Sequence, residues 1–206
     1  MPINRPADAP IIKNRTFFFG NFEQTRRNDS NVITILPSNV FTINNRLTAT
    51  GYKGQLIQTG LVPGGYDTTN FFARFDHQFN AKNNFAATYN FYDINATNAR
   101  NVGGLNAVSR GTNLDNKDHT INLQNITTIG SRSLNEARFQ FRRSLLAAPT
   151  IDNAGPAVNI SGAASFGVAT FSPTERDVDL FQLSDAFSTS FENTRSNSAR
   201  NFFTTI

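Results

Sequence analysis

The stretch that decides the fold is TNFFARFDHQFNAKNNFAATYNFYD, residues 69–93. Its two arms alternate apolar and polar side chains with a period of two, which predicts a β-hairpin whose turn lies at residues 80–84. Such a turn would pair Phe79 with Phe85 and Phe75 with Tyr89. Aromatic pairs on one face of a sheet contribute up to about 1 kcal/mol each. The stretch therefore predicts two long strands that share one aromatic face and one polar face.

The length of these arms favours a membrane strand. Soluble strands average about 5–6 residues, whereas a tilted strand needs ~9–11 residues to cross a bilayer. A second hairpin at residues 118–144, with a predicted turn at 130–134, repeats the plan and would pair Leu123 with Phe141 and Asn125 with Phe139. Its other side is polar except for Ile126. Together the hairpins predict an all-β fold, an antiparallel up-and-down meander of long hairpins in a transmembrane β-barrel.

In such a barrel one face of each strand contacts lipid and the other lines the lumen. The predicted lipid-facing residues are the aromatic ones: Phe75, Phe79, Phe85, Tyr89, Phe91, Phe139 and Phe141. The predicted lumen-facing residues are charged: Arg74, Asp76, Arg138 and Arg142.

The connections also follow the plan of a barrel. Polar loops at residues 95–117 and 145–176 alternate with the two tight turns, and outer-membrane barrels carry long loops on one rim and short turns on the other. A strand is predicted at 16–27, a short apolar run at 32–36 stops before Pro37, and residues 38–66 are rich in turn formers. A last strand is predicted at 177–191, with Phe181, Leu183, Phe187 and Phe191 on one face. No stretch predicts a helix of ordinary length.

Composition agrees with half-buried strands. The chain has 20 phenylalanines, yet hydrophobic residues total only 38% and the mean hydropathy is −0.36. No apolar run reaches the ~18 residues of a membrane helix. The absence of cysteine excludes disulfides and thiolate metal sites.

The residues that carry catalytic or metal chemistry elsewhere form no recognisable site here. His77 and His119 lack a partner at metal-ligand spacing, and Asp177 and Asp179 lack the spacing of a calcium loop. No Gly-x-Ser-x-Gly motif accompanies the many serines. We therefore expect no enzymatic activity, no catalytic residue, no metal and no cofactor.

A nucleic-acid partner is not expected either. The predicted isoelectric point is about 9.8, and Arg26-Arg27 and Arg142-Arg143 are basic pairs. However, a net charge of +4 over 206 residues is modest, and the aromatic residues share a face with alanine and leucine, as burial or lipid contact requires.

Three segments resemble successive strand motifs in the barrel of large TonB-dependent receptors, most closely the Oar-like group with an N-terminal carboxypeptidase-regulatory-like domain. The segments are KNRTFFFGNFE at residues 13–23, FARFDHQF at 72–79 followed by Lys82-Asn83, and SLNEARF at 133–139. The similarity extends over residues 11–190. The chain departs from the family after residue 192, where the following turn and strand of the family are not found.

The resemblance implies a particular role in the cell. Residues 1–206 would be an internal segment of a receptor barrel, without a signal peptide, plug, N-terminal domain or C-terminal strands. With six to eight strands it would be a partial, unclosed transmembrane β-barrel, because so few strands cannot close the parent barrel. The parent would lie in the outer membrane of a Gram-negative cell and import a bulky ligand. Its partners would be outer-membrane lipid, TonB through the parent's N-terminal part, and a transported ligand that the sequence does not identify.

A second hypothesis is a soluble secreted β-sandwich or adhesin-like module. In that case the aromatic faces of the two hairpins would oppose each other in two sheets about 10 Å apart.

Overall fold

The computed structural model describes the backbone of residues 3–190 and 200–205 and the side chains of residues 11–190. The described residues form ten strands and one α-helix. The bounds are β1 Ile3–Ile12, β2 Thr16–Ile33, α1 Pro37–Ala49, β3 Gly60–Asn80, β4 Asn83–Arg100, β5 Thr112–Ile129, β6 Ser133–Ala148, β7 Val158–Ile160, β8 Ala164–Phe166, β9 Thr174–Thr189 and β10 Arg200–Thr205. A 3-10 turn at Val108–Arg110 precedes β5.

Eight of the strands form one antiparallel sheet in the order β1-β2-β3-β4-β5-β6-β9-β10, and β7 and β8 form a separate small hairpin. Each strand of the large sheet pairs with the strand that follows it in the chain, except that β6 pairs with β9 because the small hairpin of β7 and β8 is inserted between them. Among the described residues β1 does not pair with β10, so the two strands are open edges and the sheet is an unclosed up-and-down meander. This confirms the predicted fold class, a partial all-β barrel.

The sheet contradicts the sandwich hypothesis. The two predicted hairpins are β3–β4 and β5–β6, and β4 pairs directly with β5 through Phe85 opposite Asn125 and Tyr89 opposite Ile121. Their aromatic faces consequently lie side by side on one surface instead of opposing each other across two sheets.

The register predicted for both hairpins was wrong by two residues. Phe85 lies opposite His77 instead of Phe79, and Phe139 lies opposite Leu123 instead of Asn125. The prediction assumed five-residue turns, but the chain turns more tightly. In the first hairpin the loop is Ala81-Lys82, where the Lys82 amide donates to the Asn80 side chain at 2.9 Å. A shift of two leaves every side chain on its predicted face.

The second tight turn depends on a glycine. Its loop is Gly130-Ser131-Arg132, and Gly130 has a φ of 66°. This left-handed conformation is open to glycine without the steric cost that a Cβ brings. The turn therefore closes after three residues, and Ile129 pairs with Ser133.

The helix α1 was not predicted and corrects the expectation that no stretch of the chain forms a helix of ordinary length. Pro37 occupies its first turn, where a missing amide costs nothing. Val40, Ile43 and Leu47 lie one above another at helical spacing and pack against a buried cluster. The surrounding Ser, Asn and Thr have modest helix propensity, so tertiary packing stabilises this helix more than its local sequence does.

The strands extend further than predicted, and the loops are correspondingly shorter. The predicted loop at 95–117 contracts to 101–111, and the one at 145–176 contracts to 149–173 and contains β7 and β8. The predicted strand at 16–27 continues to Ile33, and residues 3–12 form β1. The chain also forms β10, a strand that the sequence did not predict, opposite β9. Phe191 lies outside the described residues.

The hydrophobic core lies at one end of the sheet and not along it. We call the segments 34–59, 101–111 and 149–173 the loop cap. Their buried residues, together with the strand ends, form one cluster: Ile33, Ile35, Ile57, Val62, Ala107, Val108, Ala164 and Phe166. All three segments leave the sheet at the same end, which we call the loop rim, while the short turns at 13–15, 81–82 and 130–132 form the turn rim. This confirms the predicted asymmetry.

No helix in the described residues is long and apolar enough to cross a membrane.

Candidate functional site on the two faces of the sheet

One face of the sheet, the aromatic face, carries a continuous apolar band. The register aligns its side chains across six strands: Phe18 and Phe22 on β2; Phe71, Phe75 and Phe79 on β3; Phe85, Tyr89 and Phe91 on β4; Ile121 and Leu123 on β5; Phe139 and Phe141 on β6; and Phe181, Leu183 and Phe187 on β9. All seven residues predicted to face lipid belong to this band. The predicted list named lipid-facing residues only on β3, β4 and β6 and omitted those on β2, β5 and β9.

The apolar band is exposed although its rings touch one another. Phe141 and Phe181 lie 4.8 Å apart between ring centroids, and Phe79 meets His77 edge-on at 4.6 Å. Nevertheless 58% of Phe79 and 60% of Leu183 are exposed. Soluble monomers rarely leave contiguous apolar patches larger than a few hundred Å² uncovered. The band requires an apolar partner or medium.

The height of the band suits a bilayer. From Phe71 to Phe79 the strand advances eight residues, which is roughly 26 Å along its axis and about 20 Å across a membrane at a tilt of ~40°. Transmembrane barrels carry an apolar band about 25 Å tall.

Polar pairs bound the band on both sides. Toward the loop rim the same face carries the ion pairs Arg26–Asp67 and Arg143–Asp177, the latter at 3.1 Å. Toward the turn rim it carries hydrogen bonds between Asn83 and Thr127 at 3.0 Å and between Asn135 and Asp185 at 2.8 Å. The apolar surface is therefore a belt with two polar margins.

Two histidines interrupt the belt. The Nδ1 atom of His119 lies 2.8 Å from the Tyr89 hydroxyl, and that of His77 lies 2.8 Å from the Thr16 hydroxyl. These contacts satisfy one nitrogen of each ring within the face itself. The described residues contain no group of three His, Cys, Asp or Glu side chains that could hold a metal ion.

The opposite face, the polar face, carries the residues predicted to face the lumen. Arg74 and Asp76 on β3 lie on it with Arg138 and Arg142 on β6. Each arginine has a carboxylate partner: Arg74 forms a two-pronged contact with Asp76 at 2.7 Å, Arg138 contacts Glu136, and Arg142 lies 3.5 Å from Asp118. The charges on this face thus cancel locally.

Amide side chains fill the positions between these ion pairs. Asn122, Gln140 and Gln182 lie side by side on β5, β6 and β9, and Gln124 donates to Glu136 one row away. Phe17, Phe19 and Phe72 are aromatic exceptions on this face, beside aliphatic ones such as Ile126 and Leu180, and the rings of Phe19 and Phe72 lie 5.8 Å apart.

The loop cap covers the polar face and not the aromatic face. Ile33 on β2 and Val62 on β3 belong to the buried cluster of the cap, and the register places both on the polar face. Thr112 and Ala148, buried at the loop-rim ends of β5 and β6, also lie on that face. The neighbours Val32 and Leu61, on the aromatic face, are 52% and 74% exposed.

Backbone hydrogen bonds tie the cap segments together. The Thr34 amide donates to the Gly104 carbonyl at 2.8 Å, and the Ala107 amide donates to the Ser165 carbonyl at 2.8 Å. Asn44 on α1 bridges to Ile57 through both its side-chain atoms, at 2.7 and 2.9 Å. The loops consequently form one folded layer over the loop-rim end of the polar face.

Comparison with known proteins agrees with this geometry. A family model described as an outer membrane beta barrel domain matches residues 38–205, from α1 to β10. No curated protein and no solved structure matches the chain. The match spans most of the chain, and the open antiparallel sheet has the belt and the two unlike rims of such a barrel. The chain therefore belongs to the outer membrane β-barrel family, and its place in the cell is the outer membrane.

Proposed function

We propose that the chain is part of the barrel of a TonB-dependent receptor of the Oar-like type, whose parent imports a bulky ligand across the outer membrane. The observation that carries this proposal is the length of the strands. β2 to β6 have 16 to 21 residues each, well beyond the ~9–11 needed to cross a bilayer, and they continue into a folded cap over the polar face. Long strands and large outer loops suit a wide receptor barrel.

The open sheet supports the same proposal. An unpaired edge within a bilayer leaves backbone amides and carbonyls without partners, which costs several kcal/mol per group. The edges at β1 and β10 must therefore be covered in the membrane. Further strands of a parent barrel would cover both edges and would widen the lumen enough for a plug.

The three motifs behind the family resemblance occupy one place in the structure. Residues 13–23, 72–79 and 133–139 all lie at the turn-rim ends of β2, β3 and β6. A shared location at one rim favours a common structural origin for these motifs over coincidence.

In this role the belt contacts lipid, with Phe75, Phe79, Phe85, Tyr89, Phe91, Phe139 and Phe141 facing the acyl chains. Arg74, Asp76, Arg138 and Arg142 face the lumen. The cap supports this orientation, because loops that fold over the polar face narrow the mouth of a barrel whose lumen is on that side. The proposed work is transport and contains no catalytic step.

The test is binding of the full-length protein, purified in detergent, to the periplasmic C-terminal domain of TonB. A TonB-dependent receptor binds that domain, and the binding is expected to rise when ligand occupies the receptor. A protein that stays in the outer membrane, shifts its gel mobility on heating and shows no affinity for TonB would overturn the receptor proposal while leaving the barrel intact.

A further inference from the structure

The turn rim of the sheet is basic. Each of its three turns contributes at least one cation, and the four are Lys13, Arg15, Lys82 and Arg132. The turns together with the residues that flank them, 11–17, 79–84 and 128–134, contain no aspartate or glutamate. The rim therefore gathers positive charge and no negative charge within its turns.

The backbone holds one cation at the same place in every turn. The last residue of each turn is a cation, and its carbonyl accepts a hydrogen bond from an amide in the neighbouring strand or just beyond it. These bonds run from Gln78 to Arg15 at 2.7 Å, from Thr128 to Lys82 at 2.7 Å and from Ser190 to Arg132 at 3.0 Å. Successive turns are two strands apart, so the cations recur roughly every 10 Å along the rim.

The cations lie close to the apolar surface of the aromatic face. Each is three residues from an exposed apolar side chain on that face, and the pairs are Arg15 with Phe18, Lys82 with Phe79, and Arg132 with Ile129. Three residues of strand cover at most about 10 Å. Lysine and arginine place their stems along apolar surface and keep their charges in the polar layer beside it. The positive charges consequently lie at the height of lipid headgroups.

The carboxylates closest to this rim have partners on the sheet. They are the first ones met along β3, β6 and β9 from the turn rim. Asp76 pairs with Arg74 at 2.7 Å, Glu136 pairs with Arg138, and Asp185 accepts a hydrogen bond from Asn135 at 2.8 Å. Intramolecular pairing thus occupies the negative groups nearest to the turns.

The opposite margin of the belt has the reverse charge. On the aromatic face toward the loop rim, carboxylates outnumber cations: Asp67, Asp93, Asp115, Glu175, Asp177 and Asp179 lie there with Arg26, Lys117 and Arg143. Two of these cations are already paired, Arg26 with Asp67 and Arg143 with Asp177. An anionic headgroup is therefore attracted to the turn rim and not to the loop-rim margin.

We propose that the turn rim binds the anionic headgroups of phospholipids, with Lys13, Arg15 and Lys82 contacting their phosphates. In outer-membrane barrels the short turns face the periplasm, so these lipids belong to the periplasmic leaflet. The position of the cations beside the belt favours lipid over an acidic protein or the cell wall, which would meet the rim from below the membrane. The inference depends on the barrel and not on the receptor role.

The experiment uses the full-length protein in nanodiscs of phosphatidylethanolamine and phosphatidylglycerol. After extraction with mild detergent, native mass spectrometry measures the ratio of the two lipids that remain bound. Removing one cation near an anionic surface changes binding roughly fivefold. Lys13→Gln combined with Arg15→Gln and Lys82→Gln is therefore expected to lower the retained ratio of phosphatidylglycerol to phosphatidylethanolamine about tenfold or more. The preference of the wild type should also weaken as salt is added.

Two matched variants separate the position of the charge from its amount and from side-chain shape. Lys53→Gln, Lys117→Gln and Arg176→Gln together remove three exposed cations toward the loop rim, and the lipid ratio is expected to stay at the wild-type value. Lys13→Arg, Arg15→Lys and Lys82→Arg together conserve the charge of the turn rim and are expected to conserve the preference.

Heat-dependent gel mobility verifies that each variant is a folded barrel, and Lys82→Gln alone provides a second test should the triple variant fail to fold. A wild-type barrel without preference for phosphatidylglycerol, or an equal loss in the turn-rim and loop-rim variants, would overturn the inference. Cosedimentation with peptidoglycan that requires the turn-rim cations, without any lipid preference, would also overturn it and would assign the rim to the cell wall.

Discussion

The loop cap buries its large apolar side chains, whereas the aromatic face of the sheet exposes them. In the cap Ile35 and Ala107 are each 1% exposed, whereas on the aromatic face Leu183 keeps 60% of its surface exposed. The cap has a core of its own and meets the requirements of a fold in water. The sheet has apolar surface without a core, and it needs an apolar medium. One part of the chain is therefore suited to water and the other to an apolar medium.

The largest expected effect concerns the aromatic face. Leu123 and Phe139 lie opposite each other in the belt, and their neighbours Asn122 and Gln140 lie opposite each other on the polar face. Leu123→Arg combined with Phe139→Arg places two charges in the belt, at about 2–4 kcal/mol each near the bilayer midplane. We expect the full-length protein to fail to assemble in the outer membrane, measured by heat-dependent gel mobility of the membrane fraction.

The matched control is Asn122→Arg combined with Gln140→Arg, one position along each strand. These arginines lie on the polar face, and assembly is expected to continue. Equal failure of both double variants would contradict the distinction between the two faces.

A smaller and local effect is expected in the cap. Ile35→Ala leaves a cavity in the buried cluster and should destabilise the cap by about 2–5 kcal/mol without preventing insertion of the strands. Limited proteolysis of the assembled protein should then cut within residues 34–59 at a higher rate. Leu36→Ala is the control, because Leu36 is 62% exposed and its truncation should leave the rate near that of the wild type. Loss of the whole barrel on Ile35→Ala would show that cap and sheet fold as one unit.

The smallest expected effect is a pH dependence of the cap. Burial, followed by the neighbouring Asp152 carboxylate, raises the pKa of Tyr52 above its usual value of 10.0. The folded cap therefore holds the proton more tightly than the unfolded chain. Its stability is complete below the unfolded pKa and falls as pH rises from about 10 through the folded pKa. The rate of proteolysis at the cap should increase over that range.

Tyr52→Phe separates this effect from other alkaline effects. The variant loses the hydrogen bond from the hydroxyl to the Ala154 carbonyl at 3.1 Å, so it should be less stable by about 0.5–1.5 kcal/mol at neutral pH. It should also lose the part of the pH dependence that begins near 10. A wild-type cap that is equally resistant on both sides of that pH would refute the role of Tyr52.

The sequence predicted the sheet better than the cap for a physical reason. The alternation of Phe75, Asp76 and His77 along β3 indicates on which face of the sheet each residue lies, and this is a local property. A two-residue error in strand register leaves every residue on the same face. The turn lengths were harder to predict, since Asn80 and Gly130 permit several loops and the pairing of whole strands selects among them.

The cap depends on contacts between distant segments. Val40, Ile43 and Leu47 have helical spacing, which is the signal that could have identified α1, but their neighbours are weak helix formers. The helix is stabilised by packing against a cluster that includes Ile57 and Val108, which are distant in sequence from most of the helix, and local periodicity does not predict such tertiary contacts.

The central claim is that the aromatic face contacts lipid and the polar face contacts water, and spin labels on adjacent residues of β4 test it most directly. Because the chain has no cysteine, Phe85→Cys and Ala86→Cys each introduce a single labelling site in this chain, on the aromatic and polar faces respectively. In the full-length protein in bilayers we expect the label at 85 to collide mainly with oxygen and the label at 86 mainly with a water-soluble nickel complex. Equal access of the nickel complex to both sites, or a label at 85 shielded from both reagents, would contradict the account.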